Sequence, residues 1–272
     1  MSMIKTILVF LVSLLLIVGC SSASTSFDRV AINSGFQTTY VQGLNFRLTV
    51  YENLIPSDKG ILHVYLGGDG TPWFEGRYVT DDPTPLNPIM LKLMKLDKTS
   101  AVYLGRPCYH QHNASQGCNK TLWTNKRYSP IVVDNMAVAI NQYMLQRNFH
   151  QVKLFGFSGG GTLAMLLAPR ITNISTVVTV AGNLDIDTWT MHHGYLPLTG
   201  SLNPAKQPPL PLHIRQLHLL GLQDKSVPPY ITKPVINKQK NAQYIELKRA
   251  NHQCCWNSIW SSTLSKISKK KK

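Results

Sequence analysis

The sequence is poor in acidic residues: 13 Asp and Glu oppose 28 Lys and Arg, and the formal net charge is +15. It also lacks an internal repeat, and its low-complexity residues are confined to a basic tail at residues 268–272. No nucleic-acid motif places aromatic side chains beside the basic ones, so no nucleic-acid partner is predicted. A lysine-rich terminus is usually a solvated tail, and contact with anionic lipid headgroups is the alternative.

Long apolar runs are scarce as well. The longest, residues 7–18, follows Lys5 and is too short for a comfortable membrane span. A polar segment rich in serine and threonine comes shortly after it. This arrangement is typical of a signal peptide, which we place at residues 1–19.

The signal peptide leads into Ile17-Val18-Gly19-Cys20, which resembles the lipobox of bacterial lipoproteins. The resemblance implies cleavage before Cys20, acylation of Cys20 (with palmitate, for example) and an anchor in a membrane of a bacterial cell envelope, on its periplasmic or surface face. An ordinary secretory signal that happens to contain a cysteine is the alternative. We expect residues 20–40 to be the lipidated cysteine and a flexible tether.

Cysteine is also rare, and with Cys20 assigned to lipidation only Cys108, Cys118, Cys254 and Cys255 are left. An even number of cysteines in an exported protein indicates disulfides. Cys108 and Cys118 could close a loop, whereas the adjacent Cys254 and Cys255 could pair with each other or each reach elsewhere. Neither pair has Cys-x-x-Cys spacing, so zinc is disfavoured, and neither a metal nor an organic cofactor is predicted.

What the sequence does contain is enough apolar material for one large core, since 43% of its 272 residues are hydrophobic. Strand-like and helix-like patterns alternate across residues 41–267. This alternation predicts a single α/β domain with a mostly parallel central sheet and helices on both faces. Ligands of such sheets bind beyond the carboxyl ends of the strands. Residues 183–211 interrupt the alternation and are predicted to form a small lid-like insertion, or a pocket wall, over that edge.

One apolar segment ends in the pattern Gly-x-Ser-x-Gly at residues 156–160. This pattern places its serine, Ser158, on a sharp turn between a strand and a helix. The free backbone N–H groups at the helix N-terminus, that of Gly159 among them, can bind a developing negative charge. A glycine-rich helix entry without chemistry would show the same five residues.

Two later loops supply a possible acid and a possible base. Asp224 and His252 each follow a predicted strand, so we expect both at the same edge of the sheet as Ser158. His252 would take the proton of the Ser158 hydroxyl, and Asp224 would fix the imidazole tautomer. The competing candidates lie in the predicted insertion: Asp185, Asp187, His192 and His193.

The chain order Ser158, Asp224, His252, with each residue after a strand, resembles the α/β-hydrolase superfamily. The resemblance implies an acyl-enzyme mechanism and an oxyanion hole made of two backbone N–H groups. One belongs to Gly159, and the other belongs to a glycine-rich loop after an early strand. By its place in that loop, Asp69 is the residue to which the resemblance assigns the second N–H group.

Several segments further resemble a poorly characterised group of bacterial α/β-hydrolases. The matching segments are residues 68–73, 82–88, 106–108, 123–128, 183–185 and 200–204. Because this group is known by sequence more than by activity, the resemblance implies a fold and a triad but no substrate. Gly67 departs from the acidic residue or histidine that relatives often carry, so any role of that side chain is missing here.

Together these patterns predict an exported, lipid-anchored serine hydrolase that cleaves carboxylic esters or thioesters. Its expected partners are a small-molecule or lipid-like acyl ester substrate and, through the anchor, a membrane. A peptidase or amidase would use the same triad. A catalytically silent envelope-binding protein on a hydrolase scaffold is the alternative outside enzymes, although such a scaffold has no need of all three triad residues.

Overall fold

The computed structural model describes residues 22–55 and 60–268. The predicted signal peptide and Cys20 lie outside the described residues, and so do residues 269–272 of the basic tail. Within the described ranges the protein has a mostly parallel central sheet with helices on both faces, so the predicted fold class is confirmed. No helix in these two ranges is long and apolar enough to cross a membrane.

After an initial helix and five consecutive strands, helices and strands alternate along the chain. The described strands are β1 (Gln37–Gln42), β2 (Arg47–Asn53), β3 (Ile61–Leu66), β4 (Trp73–Phe74), β5 (Tyr78–Val79), β6 (Ala101–Leu104), β7 (Gln151–Phe157), β8 (Ile174–Val180), β9 (Arg215–Gly221) and β10 (Ala242–Leu247). The described α-helices are α1 (Ala23–Asn33), α2 (Ile89–Met94), α3 (Pro130–Gln146), α4 (Gly159–Leu167), α5 (Ile186–His193), α6 (Pro229–Asn237) and α7 (Asn257–Ser268). Short 3₁₀ helices lie at Lys120–Trp123, Ala168–Arg170 and Pro204–Lys206.

The central sheet has the strand order β1-β2-β6-β3-β7-β8-β9-β10, and β4 pairs with β5 in a separate hairpin. In this strand order, every neighbouring pair from β6 to β10 is parallel. At the other edge, β1 pairs antiparallel with β2, and β2 pairs antiparallel with β6. The register places Leu66 of β3 opposite Gly156 of β7, and Gly221 of β9 opposite Leu247 of β10. The loops after β3, β7, β9 and β10 therefore leave the sheet at one edge, where ligands of such sheets bind.

Two hydrophobic cores, one on each face, hold the helices to the sheet. Helices α3, α4 and α6 pack on one face, and α1, α2 and α7 pack on the other. Buried side chains that represent these helices are Val133, Leu163 and Val235 on the first face and Phe27, Leu93 and Trp260 on the second. The inner strands read as continuous apolar runs because a parallel sheet is covered on both faces.

The prediction of a flexible tether over residues 20–40 is wrong from Ala23 onward. Residues 23–33 form α1, and β1 begins at residue 37. Phe27 and Ala31 are one helical turn apart and both are buried. Ser24 fixes the start of the helix, since its N–H and its hydroxyl donate to the Asp82 carboxylate at 2.7 and 2.9 Å. The serine- and threonine-rich composition concealed this short apolar stripe.

The region predicted as a lid-like insertion, residues 183–211, contains α5 and the 3₁₀ helix Pro204–Lys206. Helix α5 lies against the loop after β9. The indole N–H of Trp189 donates to the Ser226 carbonyl at 2.8 Å, and His193 Nε2 lies 2.8 Å from the same oxygen. Whether the region acts as a lid stays a prediction.

Both pairs of predicted disulfide candidates are bonded. Cys108 pairs with Cys118 and closes a loop of ten-residue separation. Cys254 pairs with its neighbour Cys255, in the loop that follows His252. The structure thus decides between the two arrangements that the sequence left open for the adjacent cysteines.

Candidate active site

Ser158 occupies the single residue between β7 and α4. Its backbone has φ 53° and ψ −119°, a left-handed conformation that a residue with a side chain adopts only where its surroundings enforce it. Two backbone hydrogen bonds do so: Ser158 N–H donates to the Val180 carbonyl at 2.9 Å, and Asn183 N–H donates to the Ser158 carbonyl at 3.1 Å. The turn is therefore fixed by the end of the neighbouring strand β8.

The two outer glycines of the Gly-x-Ser-x-Gly pattern are needed for close backbone approach. A Cβ atom on Gly156 would overlap the Gly160 carbonyl oxygen, and a Cβ atom on Gly160 would overlap the carbonyl oxygen of Leu66 on β3. The strand, the turn and the helix can meet this closely only because both side chains are absent. The pattern thus has a packing reason as well as the chemical one considered above.

The structure brings Ser158, His252 and Asp224 into one chain of hydrogen bonds. His252 Nε2 lies 3.0 Å from Ser158 Oγ, and His252 Nδ1 lies 2.8 Å from Asp224 Oδ2. With a neutral imidazole that carries its proton on Nδ1, the Ser158 hydroxyl donates to Nε2 and Nδ1–H donates to the carboxylate. This geometry is the one a serine nucleophile, a general base and an orienting acid require.

Asp224 and His252 are themselves held in place. The second carboxylate oxygen of Asp224 accepts from the N–H groups of Ser226 and Val227 at 2.9 and 2.8 Å, and the residue is buried. The His252 ring contacts the Phe157 ring, with 4.9 Å between centroids, and the His252 carbonyl accepts from the Trp256 indole at 3.1 Å. Both side chains are thus pre-oriented toward Ser158.

The competing candidates make other contacts. Asp185 caps the start of α5, because its carboxylate accepts from the backbone N–H and the hydroxyl of Thr188 at 3.3 and 2.7 Å. Asp187 forms an ion pair with Lys206 at 2.5 Å. His192 Nδ1 lies 2.6 Å from the Tyr230 hydroxyl, and His193 contacts the loop after β9 as described above. These contacts belong to the insertion and its attachment.

The glycine-rich loop after β3, residues 67–70, passes directly beside Ser158; we name it the oxyanion loop. A Cβ atom on Gly68 would lie 3.5 Å from Ser158 Cβ. On the other side, a Cβ atom on Gly159 would overlap the Asp69 carboxylate. Asp69 and Gly159, the two residues assigned to the oxyanion hole, are therefore adjacent to each other and to Ser158. Their roles stay predictions.

The side chain of Asp69, which sequence reasoning left without a role, is the centre of a buried ionic cluster. Its carboxylate lies 2.9 Å from Arg106 Nη1 and 2.9 Å from Arg127 Nη1, and it accepts from the Tyr128 hydroxyl at 2.6 Å. We name these four residues the Asp69 cluster. Apart from Arg127 and Tyr128, the four residues are far apart in the sequence, so no local pattern links them to Asp69.

The electrostatics of the Asp69 cluster favour a carboxylate, two guanidinium groups and a neutral phenol. Burial alone would raise the pKa of Asp69, but the charges of Arg127 and Arg106 and the hydrogen bond from Tyr128 hold that pKa below its ordinary value. Burial, with the Asp69 charge as a further cause, raises the pKa of Tyr128 well above its usual range. The cluster therefore carries a net charge of about +1 beside the oxyanion loop.

A groove of about 700 Å³ opens beside Asp224 and His252. It is lined by the loop after β9, from Leu222 to Ser226, and by the loop after β10, from Asn251 to Gln253. Among residues 22–55 and 60–268, no group of three or more His, Cys, Asp or Glu side chains is arranged to hold a metal ion.

No protein-family model matches the sequence, and no curated protein matches it. Solved structures do share its fold. A membrane phospholipase A, a bacterial virulence factor, has a TM-score of 0.64 at 14% identity, and the match covers 98% of both chains. An esterase from Pyrococcus furiosus has a TM-score of 0.60 at 13% identity and covers 86% of this chain and 91% of the esterase.

Peptidases are also among the neighbours. An acylaminoacyl peptidase from Pyrococcus horikoshii has a TM-score of 0.57 at 12% identity and covers 86% of this chain and 42% of the peptidase. At such identities the similarity shows the α/β-hydrolase fold and leaves the reaction to the geometry of the site.

Proposed function

We propose that the protein is an exported, lipid-anchored serine hydrolase that cleaves carboxylic esters or thioesters through an acyl-enzyme. The observation that carries the proposal is the pair of hydrogen bonds on His252, 3.0 Å to Ser158 Oγ and 2.8 Å to Asp224 Oδ2. A buried acid, an imidazole and a hydroxyl are linked here in the order that nucleophilic catalysis requires. A polar cluster with only a structural role does not need this order.

In the proposed reaction Ser158 Oγ attacks the acyl carbon while its proton moves to His252 Nε2. The tetrahedral intermediate places its oxyanion against the N–H groups of Asp69 and Gly159. Its collapse expels the alcohol or thiol, which takes the proton from His252, and leaves the acyl group on Ser158. A water molecule, deprotonated by His252, then attacks the acyl carbon; the bond from that carbon to Ser158 Oγ breaks, Oγ takes the proton back from His252, and the acid leaves.

A lipid-like acyl ester is the substrate class that the surface favours. The connections that follow β3, β8 and β9 at the edge of the sheet that holds Ser158 carry exposed apolar side chains, which are Trp73, Phe74, Met191, Leu196 and Leu222. Exposed apolar side chains on the binding edge of a sheet suit contact with apolar ligands or surfaces. The fold neighbours that are a phospholipase and an esterase support the same class.

An activity-based probe tests the mechanism. We expect a fluorophosphonate to label the full-length protein and to fail with Ser158→Ala and with His252→Ala. Ser258→Ala and His213→Ala are matched controls because both residues are exposed, Ser258 in α7 and His213 in the turn before β9, and they should be labelled like the wild type. A folded wild type that takes no label would refute the hydrolase and support the envelope-binding alternative.

The bond that is cleaved requires a second assay, since an acylaminoacyl peptidase shares this fold. Paired substrates with one acyl group, presented as an oxygen ester, a thioester and an anilide, separate the two reactions. We expect turnover of the ester and the thioester to exceed that of the anilide. The opposite order would make the protein an amidase.

Membrane attachment through Cys20 is a separate part of the proposal, because it rests on the lipobox alone. We expect a palmitate analogue fed to expressing bacteria to label the wild type and to leave Cys20→Ser unlabelled. Equal labelling of the two would reject the anchor and leave the catalytic proposal intact.

A further inference from the structure

We infer that the Asp69 cluster positions the oxyanion loop against Ser158 for catalysis. This inference rests on the proposed serine hydrolase mechanism, to which it adds four positioning side chains. The predicted donors are backbone N–H groups, so any effect of the four side chains on the reaction must pass through the backbone that they hold.

The oxyanion loop needs such support because it has no regular hydrogen-bonding ladder. Residues 67–72 belong to neither strand nor helix, although they follow directly on β3. An oxyanion donor has to be held within a few tenths of an ångström of its working position, and a displacement of about 1 Å can cost about 100-fold in rate. Side chains must therefore fix what the backbone pattern does not.

Two hydrogen bonds fix the peptide planes on either side of the Gly68–Asp69 peptide. Arg106 Nη2 donates to the Gly67 carbonyl at 3.0 Å, and the Tyr109 hydroxyl donates to the Asp69 carbonyl at 2.9 Å. Because peptide groups are planar, the direction of each carbonyl also sets the N–H on its far side. The Gly68–Asp69 peptide, which carries the Asp69 N–H, is thus restrained from both ends.

The cluster also contacts the second predicted donor. A Cβ atom on Gly159 would overlap both the Asp69 carboxylate and the Tyr128 hydroxyl. The first residue of α4 therefore packs against the cluster with no space between them. One group of side chains sets the distance between the two predicted donors.

Further contacts hold the residues of the Asp69 cluster in place. Tyr128 accepts at its carbonyl from Leu202 N–H at 2.9 Å, and its own N–H donates to Ser201 Oγ at 3.1 Å. On the other side, the Cys108–Cys118 disulfide ties down the segment that carries Arg106. These contacts hold Tyr128 and the segment of Arg106, two of the partners of Asp69.

The backbone of the Arg106 segment also stores strain. Cys108, His110 and Gln111 have φ values of 70°, 55° and 67°, in the left-handed region that residues with side chains avoid. Such conformations are unfavourable for residues with side chains and persist where the surroundings over-determine them. This segment is held in a costly conformation directly beside the oxyanion loop.

We expect Asp69→Asn to lower kcat about 10- to 100-fold, less than the 100- to 1000-fold typical for outright loss of an oxyanion donor because the N–H group is displaced and not removed, while KM changes less than about threefold. Tyr128→Phe removes one hydrogen bond and should lower kcat about three- to tenfold. The milder variant keeps the inference testable if two arginines without their carboxylate prevent Asp69→Asn from folding.

The chain offers a matched control. Glu52 is a second buried carboxylate, which accepts from the Tyr143 hydroxyl at 2.7 Å and pairs with Arg147 at 2.9 Å. It joins β2 to α3, away from the edge of the sheet that holds Ser158. Glu52→Gln and Tyr143→Phe should therefore affect stability alone, with kcat within about twofold of the wild type.

The experiment compares these four variants and the wild type, all as full-length protein, in two readouts. The first is the affinity for a trifluoromethyl ketone, whose adduct with Ser158 carries an oxyanion, set beside kcat and KM for an ester. The second is the amide hydrogen exchange of residues 67–70. We expect Asp69→Asn and Tyr128→Phe to lose ketone affinity in proportion to kcat/KM and to exchange faster in the oxyanion loop.

The possible outcomes test the proposed function and the role of the Asp69 cluster separately. A wild type with no esterase activity and no ketone affinity refutes the proposed function, and the inference falls with it. An active wild type whose Asp69 and Tyr128 variants match the Glu52 and Tyr143 variants refutes the inference alone. Faster turnover in Asp69→Asn would also refute it, because it would mean that the net charge of the cluster matters and the position of the loop does not.

Discussion

The molecule contains two buried clusters of the same chemistry in different settings. The Asp69 cluster joins a carboxylate to two arginines and a tyrosine beside Ser158, and the Glu52 cluster (Glu52, Tyr143 and Arg147) joins a carboxylate to one arginine and a tyrosine between β2 and α3. Their side-chain exposures differ: the arginines of the Asp69 cluster are 5% and 7% exposed, whereas Arg147 is 43% exposed. The carboxylates show the opposite order, with Asp69 18% and Glu52 6% exposed, so it is the burial of the arginines that distinguishes the two clusters.

The comparison indicates which parts of the structure depend on an ionic cluster for their conformation. The Glu52 cluster links a strand and a helix that the hydrogen-bonding ladder and the hydrophobic core already hold. The Asp69 cluster holds an irregular loop. Buried ion pairs are weak sources of net stability, because desolvation offsets much of the attraction. Their value lies in selecting one conformation, which an irregular loop beside a reactive serine needs and a packed strand does not.

A third buried carboxylate, that of Asp224, shows how large a loss of kcat we expect when a carboxylate contacts the catalytic base directly. It contacts His252 directly, so Asp224→Asn should lower kcat by about 10⁴-fold by favouring the wrong imidazole tautomer, with little change in the folded structure. Ester hydrolysis and thermal unfolding measured on one preparation check this. A loss below about tenfold would show that Asp224 is only a structural partner of His252.

The change in the free energy of unfolding at acid pH should distinguish the Asp69 cluster from ion pairs on the surface. The folded-state pKa of Asp69 is held below its ordinary 3.8, so its contribution to the free energy of unfolding is fully present above about pH 4 and is lost as the pH falls through the folded-state pKa. We expect Asp69→Asn to cost about 3 kcal/mol at pH 7, and this difference from the wild type should shrink below pH 3.8.

Denaturant unfolding at a series of pH values measures that difference. Asp82, Asp97 and Asp185 also have lowered pKa values, and because they are present in both proteins their contributions cancel. Asp134→Asn is the control, since Asp134 forms an exposed pair with Arg170 and should change the free energy of unfolding by less than about 1 kcal/mol. A difference that stays constant down to low pH would contradict the ionic character of the cluster.

These contrasts also explain what the sequence could and could not reveal. The fold was predictable because each apolar strand carries its own local signal. The turn at Ser158 was predictable for the same reason, since neighbouring glycines specify it. The Asp69 cluster was not, because its partners Arg106 and Arg127 come from other loops and only the folded chain brings them together.

The missed helix has a different cause. Helix α1 has only two strongly buried apolar residues, Phe27 and Ala31, within a serine- and threonine-rich stretch. Composition therefore favoured a linker, and tertiary contacts such as the bond from Ser24 to Asp82 decided the outcome. The catalytic roles of Ser158, Asp224 and His252 stay predictions, although the structure brings the three side chains together.

The two disulfides provide the smallest of the expected effects. Cys108–Cys118 closes a loop of ten-residue separation, and the entropy of that loop in the unfolded chain predicts that the double serine variant loses about 2.7 kcal/mol of unfolding free energy. Cys254–Cys255 joins neighbours and encloses no comparable loop. Its double serine variant should therefore lose only about 0.6 kcal/mol by the same reasoning.

Activity should also depend on the Cys108–Cys118 disulfide, because that disulfide anchors the segment that carries Arg106. Loss of Cys108–Cys118 frees the segment of Arg106, so kcat should fall about threefold or more while the Glu52 cluster is unaffected. Kinetics and denaturant unfolding of both double variants measure this. If the Cys108 and Cys118 variant loses stability but keeps its kcat, the disulfide supports the fold only, and the Asp69 cluster holds the oxyanion loop without it.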